Sequence, residues 1–355
     1  MTGYENMIGS IRKVYDHIQD DVSREIFRSR MLHSLTDDYA SIGRMVRQLP
    51  IKYSWIEKSR KVLTQYVNDG YQIVIADAGA VARCVRAVLC DIPWLCFCDR
   101  IVKNDKLDDL KVISRQEAIN KYGNSVFVIS STRYNDEIER ELKNAGISKI
   151  YNLGRMIKET VYEHVDKQYF ECLTFSDKEI FVDAGCYDCG TILEFQRKTD
   201  FKYKKIYSFE PEPKLYENCK KIIRNQEIRN CELINKGLWN AREELHFLSM
   251  DVGSRIEKNG KHIIQTRALD EFFENKEPPT FIKMDIEGAE LMGLKGGKNI
   301  LETHAPKLAI SIYHKSEDIF TIPEYILSVN AGYKFYFRHY SSVYWDTVLY
   351  AYVEN

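Results

Sequence analysis

Apolar and polar positions follow two different periods along this chain. In residues 1–67, apolar side chains recur three and four positions apart, as in 23–35 and 54–66, which is the spacing of amphipathic helices. From Tyr71 onward, short apolar runs of strand length alternate with segments of helical period. The pattern therefore predicts a helical N-terminal segment followed by α/β structure.

The α/β part divides into two groups of predicted strands. The first group has four apolar runs, at residues 72–77, 94–99, 125–130 and 149–153. The second group has five runs followed by two β-rich segments that predict an antiparallel edge pair, at residues 181–184, 206–210, 231–235, 281–285, 307–312, 333–340 and 346–353. We predict a helical segment at 1–67, a small Rossmann-like α/β domain at 68–154, a connector at 155–177 and a larger α/β domain at 178–355.

The small α/β domain has a weak nucleotide signature. Its first turn contains the single glycine Gly79, where a dinucleotide fingerprint has three. This turn gives little support for close approach to a pyrophosphate. We interpret the module as a substrate or partner domain, with a purely structural role as an equal alternative.

The larger α/β domain carries the candidate chemistry. Its first predicted strand runs into a turn with Gly185, and its second ends on Glu210. Such a glycine turn lets a nucleotide cofactor approach bare backbone, and an acid at the next strand tip can hold the ribose hydroxyls. Because the carboxyl ends of parallel strands line one crevice, we expect Asp183, Glu210 and Asp285 to converge, with His314 at the same edge.

Charge and hydropathy exclude several classes of partner. The chain has 51 basic and 52 acidic residues, a net charge of −1, so nothing indicates a nucleic-acid partner. No apolar stretch approaches the roughly 18 residues of a membrane-spanning helix, and the first residues lack the pattern of a secretory leader. We expect a cytoplasmic protein without membrane insertion. Residues 1–67 are the expected place for a homodimer interface or a lid.

Nine cysteines form an odd set without framework spacing, which favours reduced thiols over disulfides. Cys186 and Cys189 form a CxxC pair at the start of a predicted helix. Such a pair suits a redox centre or half of a zinc site. Because no second CxxC or His-x3-His motif accompanies it, the sequence favours two small side chains that fill a turn.

Four groups of residues carry a resemblance to a known family. They are Val182-Asp-Ala-Gly, Phe209-Glu-Pro, Ile282-Lys-Met-Asp-Ile-Glu-Gly-Ala-Glu290 with Leu294-Lys-Gly-Gly, and Ile312-Tyr-His. This set resembles the FkbM family of S-adenosylmethionine-dependent methyltransferases over residues 178–353. The resemblance implies a class I methyltransferase Rossmann-like fold, with a seven-stranded mostly parallel sheet and an antiparallel pair at one edge.

The resemblance also implies a cofactor, an acceptor and a binding site. The expected reaction is methylation of a hydroxyl oxygen on a sugar-containing substrate, such as a glycan, a sugar nucleotide or a glycosylated metabolite. A loop at residues 251–255 corresponds to one beside the adenine. The residues implied to bind S-adenosylmethionine are Asp183, Gly185, Cys186, Tyr187, Asp188, Gly190, Glu210, Pro211, Ser254 and Asp285. Related sequences place glycine where Cys189 stands, so either the turn shifts by one residue or Cys189 adopts its conformation.

O-methylation requires alignment of the nucleophile with the methyl group and removal of the hydroxyl proton. Asp285, Glu287 and His314 are the candidate bases. The alternatives are that Asp285 hydrogen-bonds the cofactor amine or caps a helix, and that Glu287 supports the turn at Gly288. Asp285 and Glu287 could also hold a divalent ion, although two carboxylates do not establish a metal site.

Two other functions remain open from the residues alone. A strand, glycine turn and helix followed by an acid also suit an NAD(P)-dependent oxidoreductase, but neither turn has the three-glycine spacing. A methyltransferase-like scaffold that binds without turnover is the second alternative. The displaced glycine at 190 is its support, and the presence of Asp183, Glu210 and Asp285 speaks against it.

Overall fold

A computed structural model of the chain describes residues 3–160, 163–164, 166–248, 255–257 and 259–354. The first 68 residues contain four helices, namely α1 (Gly3–Asp16), α2 (Asp21–Thr36), α3 (Tyr39–Gln48) and α4 (Ser54–Asn68). Asp38 caps α3, since its side chain accepts a hydrogen bond of 2.8 Å from the backbone N–H of Ala40. The helical period of the sequence is thus realised as separate helices joined by short turns.

Alternating strands and helices follow up to residue 159. They are β1 (Ile73–Ile75), α5 (Ala80–Val88), β2 (Trp94–Asp99), β3 (Lys106–Leu107), β4 (Leu110–Ser114), α6 (Arg115–Tyr122), β5 (Val126–Ile129), α7 (Asn135–Asn144), β6 (Ile150–Asn152) and α8 (Leu153–Glu159). Their six strands form one sheet in the order β3-β4-β2-β1-β5-β6, parallel except for the β3–β4 pair. Apolar side chains of β1, β2 and β5 fill its core.

The remaining elements run from residue 180 to residue 352. They are β7 (Ile180–Ala184), α9 (Gly190–Lys198), β8 (Lys205–Phe209), α10 (Pro213–Asn225), β9 (Cys231–Ile234), β10 (Gly237–Leu238), β11 (Glu244–Leu248), β12 (Arg255–Ile256), β13 (His262–Arg267), α11 (Leu269–Phe273), β14 (Phe281–Met284), α12 (Glu290–Lys295), α13 (Lys298–Thr303), β15 (Lys307–Ser311), α14 (Asp318–Val329), β16 (Lys334–His339) and β17 (Thr347–Tyr352).

Seven of these strands form a mixed sheet in the order β16-β17-β15-β14-β7-β8-β9. The pairs from β15 to β9 are parallel, whereas β17 pairs antiparallel with both β15 and β16. Every residue of β7 and β14 is buried, as expected for central parallel strands covered on both faces. Phe181 of β7 and Phe281 of β14 stack with ring centroids 4.7 Å apart, which fixes the register of the two strands.

The order of the strands reverses between β7 and β14. From β7 the chain moves outward through β8 and β9, then returns to place β14 on the other side of β7. Open α/β sheets bind their ligands outside the carboxyl ends of the strands at such a switch point. A smaller four-stranded sheet, in the order β10-β13-β11-β12, follows β9 in the chain.

The chain folds into two compact units. The larger unit comprises residues 1–27, 166–339 and 346–355, and the smaller unit comprises residues 28–165 and 340–345. Residues 17–19 join the larger unit because the N–H of Phe335 donates to the carbonyl of His17 and the N–H of Gln19 donates back to Phe335, both at 3.0 Å. In the smaller unit, the indole N–H of Trp55 donates to the hydroxyl of Ser342 at 2.8 Å. The four predicted segments stay a prediction, and these units cut across the predicted boundary at residue 67.

Within the part of the chain that the structure describes, no helix combines the length and the apolar character needed to cross a membrane.

Candidate active site

A cavity of about 300 Å³ lies in the larger unit at the carboxyl ends of β7, β8 and β14. Its polar lining includes Glu210, Lys283 and Asp285, and its apolar lining includes Phe247 and Ile264. The cavity is thus at the switch point of the seven-stranded sheet, where the carboxyl ends of the central strands meet. Its size and mixed lining suit a small organic ligand.

The segment from Gly185 to Cys189, here called the glycine loop, connects β7 to α9 and forms one wall of the cavity. Gly185 has φ +79°, and a Cβ built on it would lie 1.9 Å from the carbonyl oxygen of Asp285. The ammonium of Lys283 donates to the Gly185 carbonyl at 2.7 Å. Only glycine fits here, because both the backbone angle and the approach of the β14 end exclude a side chain.

Cys189, not Gly190, adopts the left-handed conformation at the end of the glycine loop. Cys189 has φ +62° and precedes the first residue of α9, which is Gly190. The Asp188 carboxylate accepts a hydrogen bond of 2.9 Å from the N–H of Gly190. Of the two arrangements that the sequence left open, the cysteine therefore takes the glycine conformation. Cys186, Tyr187 and Asp188 line the cavity, whereas Cys189 and Gly190 lie outside its lining.

Glu210 follows β8 and is buried, with its carboxyl group facing the cavity. One oxygen accepts from the N–H of Tyr187 at 3.1 Å, and the other accepts from the N–H of Glu212 at 3.0 Å. Burial raises the pKa of Glu210 to about 7, although these two N–H donors act in the opposite direction. A carboxylate has about four acceptor sites, so each oxygen can accept one further hydrogen bond from a ligand hydroxyl. Pro211 also lines the cavity.

Asp183 lies beneath the cavity and not in its lining. Its fully buried carboxylate forms an ion pair of 3.1 Å with the ammonium of Lys283, which does line the cavity. Burial lowers the pKa of Lys283, but attraction to Asp183 and Asp285 outweighs it and holds that pKa above its usual value. Asp183 thus positions Lys283 and, through it, the glycine loop. Asp183 was expected to contact a cofactor directly. In the structure its carboxylate contacts Lys283 and does not line the cavity.

Asp285 follows β14 and projects its carboxylate into the cavity. The hydroxyl of Tyr169 donates to its Oδ2 at 2.6 Å, and the hydroxyl of Tyr313 donates to its Oδ1 at 3.4 Å. Burial raises the pKa of both tyrosines well above the usual value, so both stay protonated donors. Two phenols from different parts of the chain therefore fix the orientation of this carboxylate.

His314 lies behind Asp285 among three carboxylates. Its Nε2 is 3.4 Å from Asp285 Oδ1 and 3.3 Å from Glu287 Oε2, and its Nδ1 is 3.0 Å from Glu290 Oε1. Burial lowers the pKa of His314, but attraction to Glu290, Asp285 and Glu287 outweighs it and raises that pKa to about 9. The imidazole is therefore protonated at neutral pH and acts as a hydrogen-bond donor. This charge state does not suit the general-base role considered for it.

The same cluster bears on the question of a divalent metal. Ligand atoms of Asp285, Glu290 and His314 lie within 4.8 Å of one another. In the arrangement described here the imidazole lies at ion-pair distance from both carboxylates. A divalent ion would have to displace the histidine proton before the imidazole could serve as a ligand.

Two more of the predicted site residues are Glu287 and Ser254. Glu287 lines the cavity with φ +56°, next to Gly288 with φ +90°. Burial raises the pKa of Glu287. Ser254 lies outside the described residues, whereas Ile256, two residues later, lines the cavity.

Sequence reasoning missed several residues of this site. Lys283 is part of the motif at residues 282–290, and a lysine inside an otherwise apolar strand is the signal that points to it. Tyr313 directly precedes His314 in the chain, and this adjacency is its signal. Tyr169 gave no signal, since it lies in the polar connector ahead of β7 and only folding brings its hydroxyl to Asp285.

The sheet with its switch point, glycine loop and cavity defines a methyltransferase-like α/β fold. Residues 183–335 match the methyltransferase FkbM domain. The crystal structure of methyltransferase FkbM from Methylobacillus flagellatus is 20% identical, covers 90% of this chain and 100% of that chain, and has a TM-score of 0.50. At this identity the likeness shows the fold alone.

Two further solved structures match a smaller share of the chain. An rRNA methylase from Streptococcus thermophilus is 18% identical, with 54% of this chain and 93% of that chain covered and a TM-score of 0.34. A protein from Streptococcus mutans, described as a methyltransferase and solved in complex with SAH, is 13% identical, with 56% of this chain and 98% of that chain covered and a TM-score of 0.33. No curated protein matches the chain.

Proposed function

We propose that the protein binds S-adenosylmethionine in the cavity and methylates a hydroxyl oxygen of a sugar-containing acceptor. The observation that carries the proposal is the convergence of the glycine loop, Glu210 and Asp285 on one cavity at the switch point of the sheet. The match of residues 183–335 to the methyltransferase FkbM domain supports the methyl-transfer chemistry. The nature of the acceptor extends the proposal beyond that domain match.

The residues present fit S-adenosylmethionine in three respects. The glycine loop offers backbone without a side chain at Gly185, where a Cβ would meet the end of β14. Glu210 has acceptor capacity left for the two ribose hydroxyls. The apolar side chains of Leu238, Phe247 and Ile264 offer a surface for a flat base.

Asp285 is the residue that we assign to proton removal. The cofactor supplies a methyl group activated by the positive sulfonium, so the chain must hold the acceptor hydroxyl in line and accept its proton. Asp285 lines the cavity, and Tyr169 and Tyr313 hold its oxygens in fixed directions. His314 behind it stabilises the carboxylate before transfer. We assign to Glu287, which lines the same cavity, the orientation of the acceptor.

A sugar-containing acceptor agrees with the surface around the cavity. The ring of Tyr187 lines the cavity and is 44% exposed, so it offers an aromatic face on which a sugar ring can stack. The carboxylates of Asp285 and Glu287 at the same site disfavour a phosphate backbone. Together with the net charge of −1, this favours a polyhydroxyl acceptor over a nucleic acid.

The test is transfer of an isotope-labelled methyl group from S-adenosylmethionine to a panel of sugar nucleotides and oligosaccharides, with RNA and protein as competing acceptors. We expect label in a sugar-containing product and a loss in kcat of about 10²–10⁴-fold in Asp285→Asn. As a matched control, an acceptor whose hydroxyls are already methylated should take no label. Label found only in RNA or protein would contradict the acceptor class, and full activity of Asp285→Asn would contradict the assigned base.

A further inference from the structure

Three cysteine side chains meet behind the glycine loop. Cys186 and Cys189 come from that loop, and Cys219 comes from the middle of α10, 30 residues after Cys189. All three are buried, and their sulfur atoms lie within 4.8 Å of one another. The Sγ atoms of Cys186 and Cys219 are 3.4 Å apart. The sequence showed only half of a ligand set, and the fold adds the third thiol.

Filling a turn does not explain the thiol of Cys189. This residue holds φ +62°, a conformation that costs a residue with a side chain about 1–2 kcal/mol and costs glycine nothing. If the position only completed a turn, glycine would be the better residue. A side chain that is retained at such a cost and that faces two other thiols indicates a function for the sulfur.

We propose that Cys186, Cys189 and Cys219 bind a zinc ion as thiolates and thereby fasten the glycine loop to α10. Sulfur ligands select soft and borderline cations, and zinc takes three protein ligands plus one exchangeable ligand where a site stays open. Within the described residues the cluster comprises three ligand side chains, and Cys186 also lines the cavity. A water molecule can take the fourth position.

Binding involves no change of oxidation state. Three thiols release three protons to solvent, and the three thiolates with the divalent ion carry one net negative charge. The ammonium of Lys283 is close enough to Cys186 for attraction between their charges. Its positive charge would therefore balance the net negative charge of the zinc site. Asp183 anchors that cation in turn.

The metal would hold the wall of the cavity in place. The thiol of Cys219 already donates to the carbonyl of Tyr187 at 3.0 Å, so α10 and the glycine loop touch at this point. Three metal–sulfur bonds would replace this weak contact. The inference does not rest on the proposed function, because metal content is measured without cofactor or acceptor.

The test is the zinc content of the full chain, purified under reducing conditions without a histidine tag and measured by elemental mass spectrometry. We expect about one zinc per chain in the wild type, as for a single-ion site. In Cys219→Ser and Cys189→Gly the content should fall to background. Cys189→Gly relieves the strained backbone and is expected to fold, so loss of zinc there cannot be ascribed to misfolding. Cys231→Ser, which changes a cysteine outside the cluster, should keep the ion.

Two results would overturn the proposal. One is zinc that persists in Cys189→Gly and Cys219→Ser, or is lacking in wild-type protein from zinc-supplemented cells. The other is a disulfide between Cys186 and Cys219 in protein isolated without reductant, seen as a peptide mass lower by two hydrogens. Cobalt substitution gives an independent readout, since a thiolate-bound Co²⁺ ion should show charge-transfer absorption that the Cys219→Ser variant lacks.

Discussion

Gly185, the residue after β7, lies directly against the backbone of Asp285 after β14. Its positive φ and the carbonyl of Asp285, 1.9 Å from where a Cβ would stand, impose two separate costs on any substitution. Gly70 also has a positive φ, +83°, but nothing lies within 4 Å of its added Cβ. A substitution at Gly70 therefore meets only backbone strain, whereas a substitution at Gly185 meets backbone strain and a steric clash.

We predict that Gly185→Ala lowers the free energy of unfolding by clearly more than Gly70→Ala, which should cost about 1–2 kcal/mol for the backbone alone. Gly185→Ala must also push the ends of β7 and β14 apart, and so should lose cofactor binding. Urea unfolding and calorimetry check both effects. Equal costs for the two variants would mean that the close approach at Gly185 does not constrain the site.

Lys283 and Asp183 form a buried ion pair on neighbouring strands. We predict that Lys283→Met lowers the free energy of unfolding by about 3–5 kcal/mol, because it leaves the buried carboxylate of Asp183 without a counter-charge. Adding Asp183→Asn should recover much of this loss, since the double variant buries no charge there. Urea unfolding of the two single variants and the double variant measures the coupling. Additive effects would contradict the pairing.

At the scale of elements, strands that are long and apolar could be predicted from the sequence, and short exposed ones could not. The runs at 181–184, 206–210 and 281–285 became β7, β8 and β14, because each is a mostly apolar stretch of strand length. The small sheet of β10 to β13 was missed, since its strands have two to six residues and many exposed side chains. Parallel pairing predicts that the carboxyl ends of these strands lie close together. The contacts of Tyr169 and Cys219 could not be predicted, because they join residues far apart in the sequence and no motif near either residue indicates them.

One edge strand depends on the N-terminal part of the chain. Residue Gln19 donates its N–H to the carbonyl of Phe335 in β16 at 3.0 Å. We predict that Gln19→Pro lowers the free energy of unfolding by about 1–3 kcal/mol, because it leaves that carbonyl without its donor. Gln19→Ala keeps the N–H and is the matched control. If both variants unfold alike in urea, the backbone pairing of this segment does not support the edge of the sheet.

At the scale of the whole molecule, the acidic cluster makes stability depend on pH. His314 has a pKa raised from 6.5 to about 9, so its stabilisation is complete below pH 6.5 and is lost as the pH rises through about 9. Burial raises the pKa of Asp318 and Asp346 from 3.8 to about 7. The stability that these two groups contribute is therefore also lost as the pH rises, but between about 3.8 and about 7. The other groups facing His314 are the carboxylates of Asp285, Glu287 and Glu290 and the phenol of Tyr313.

We predict that the free energy of unfolding falls by up to about 3 kcal/mol between pH 6.5 and pH 9, from 1.36 kcal/mol per pKa unit. In His314→Gln, which lacks the titrating group, this fall should be much smaller. Urea unfolding at several pH values measures both proteins. A wild-type stability that stays constant or rises over this range would contradict the protonated state of His314.

The most direct test of the proposed cofactor site is calorimetric titration of the full chain with S-adenosylhomocysteine, with NADH as the competing ligand. We predict binding with a Kd on the order of micromolar in the wild type. Glu210→Ala should lose this binding, and Glu232→Ala, which removes an acid on the neighbouring strand β9, should keep it. Folded wild-type protein that does not bind S-adenosylhomocysteine, binds NADH instead, or binds equally well without Glu210 would contradict the cofactor site described here.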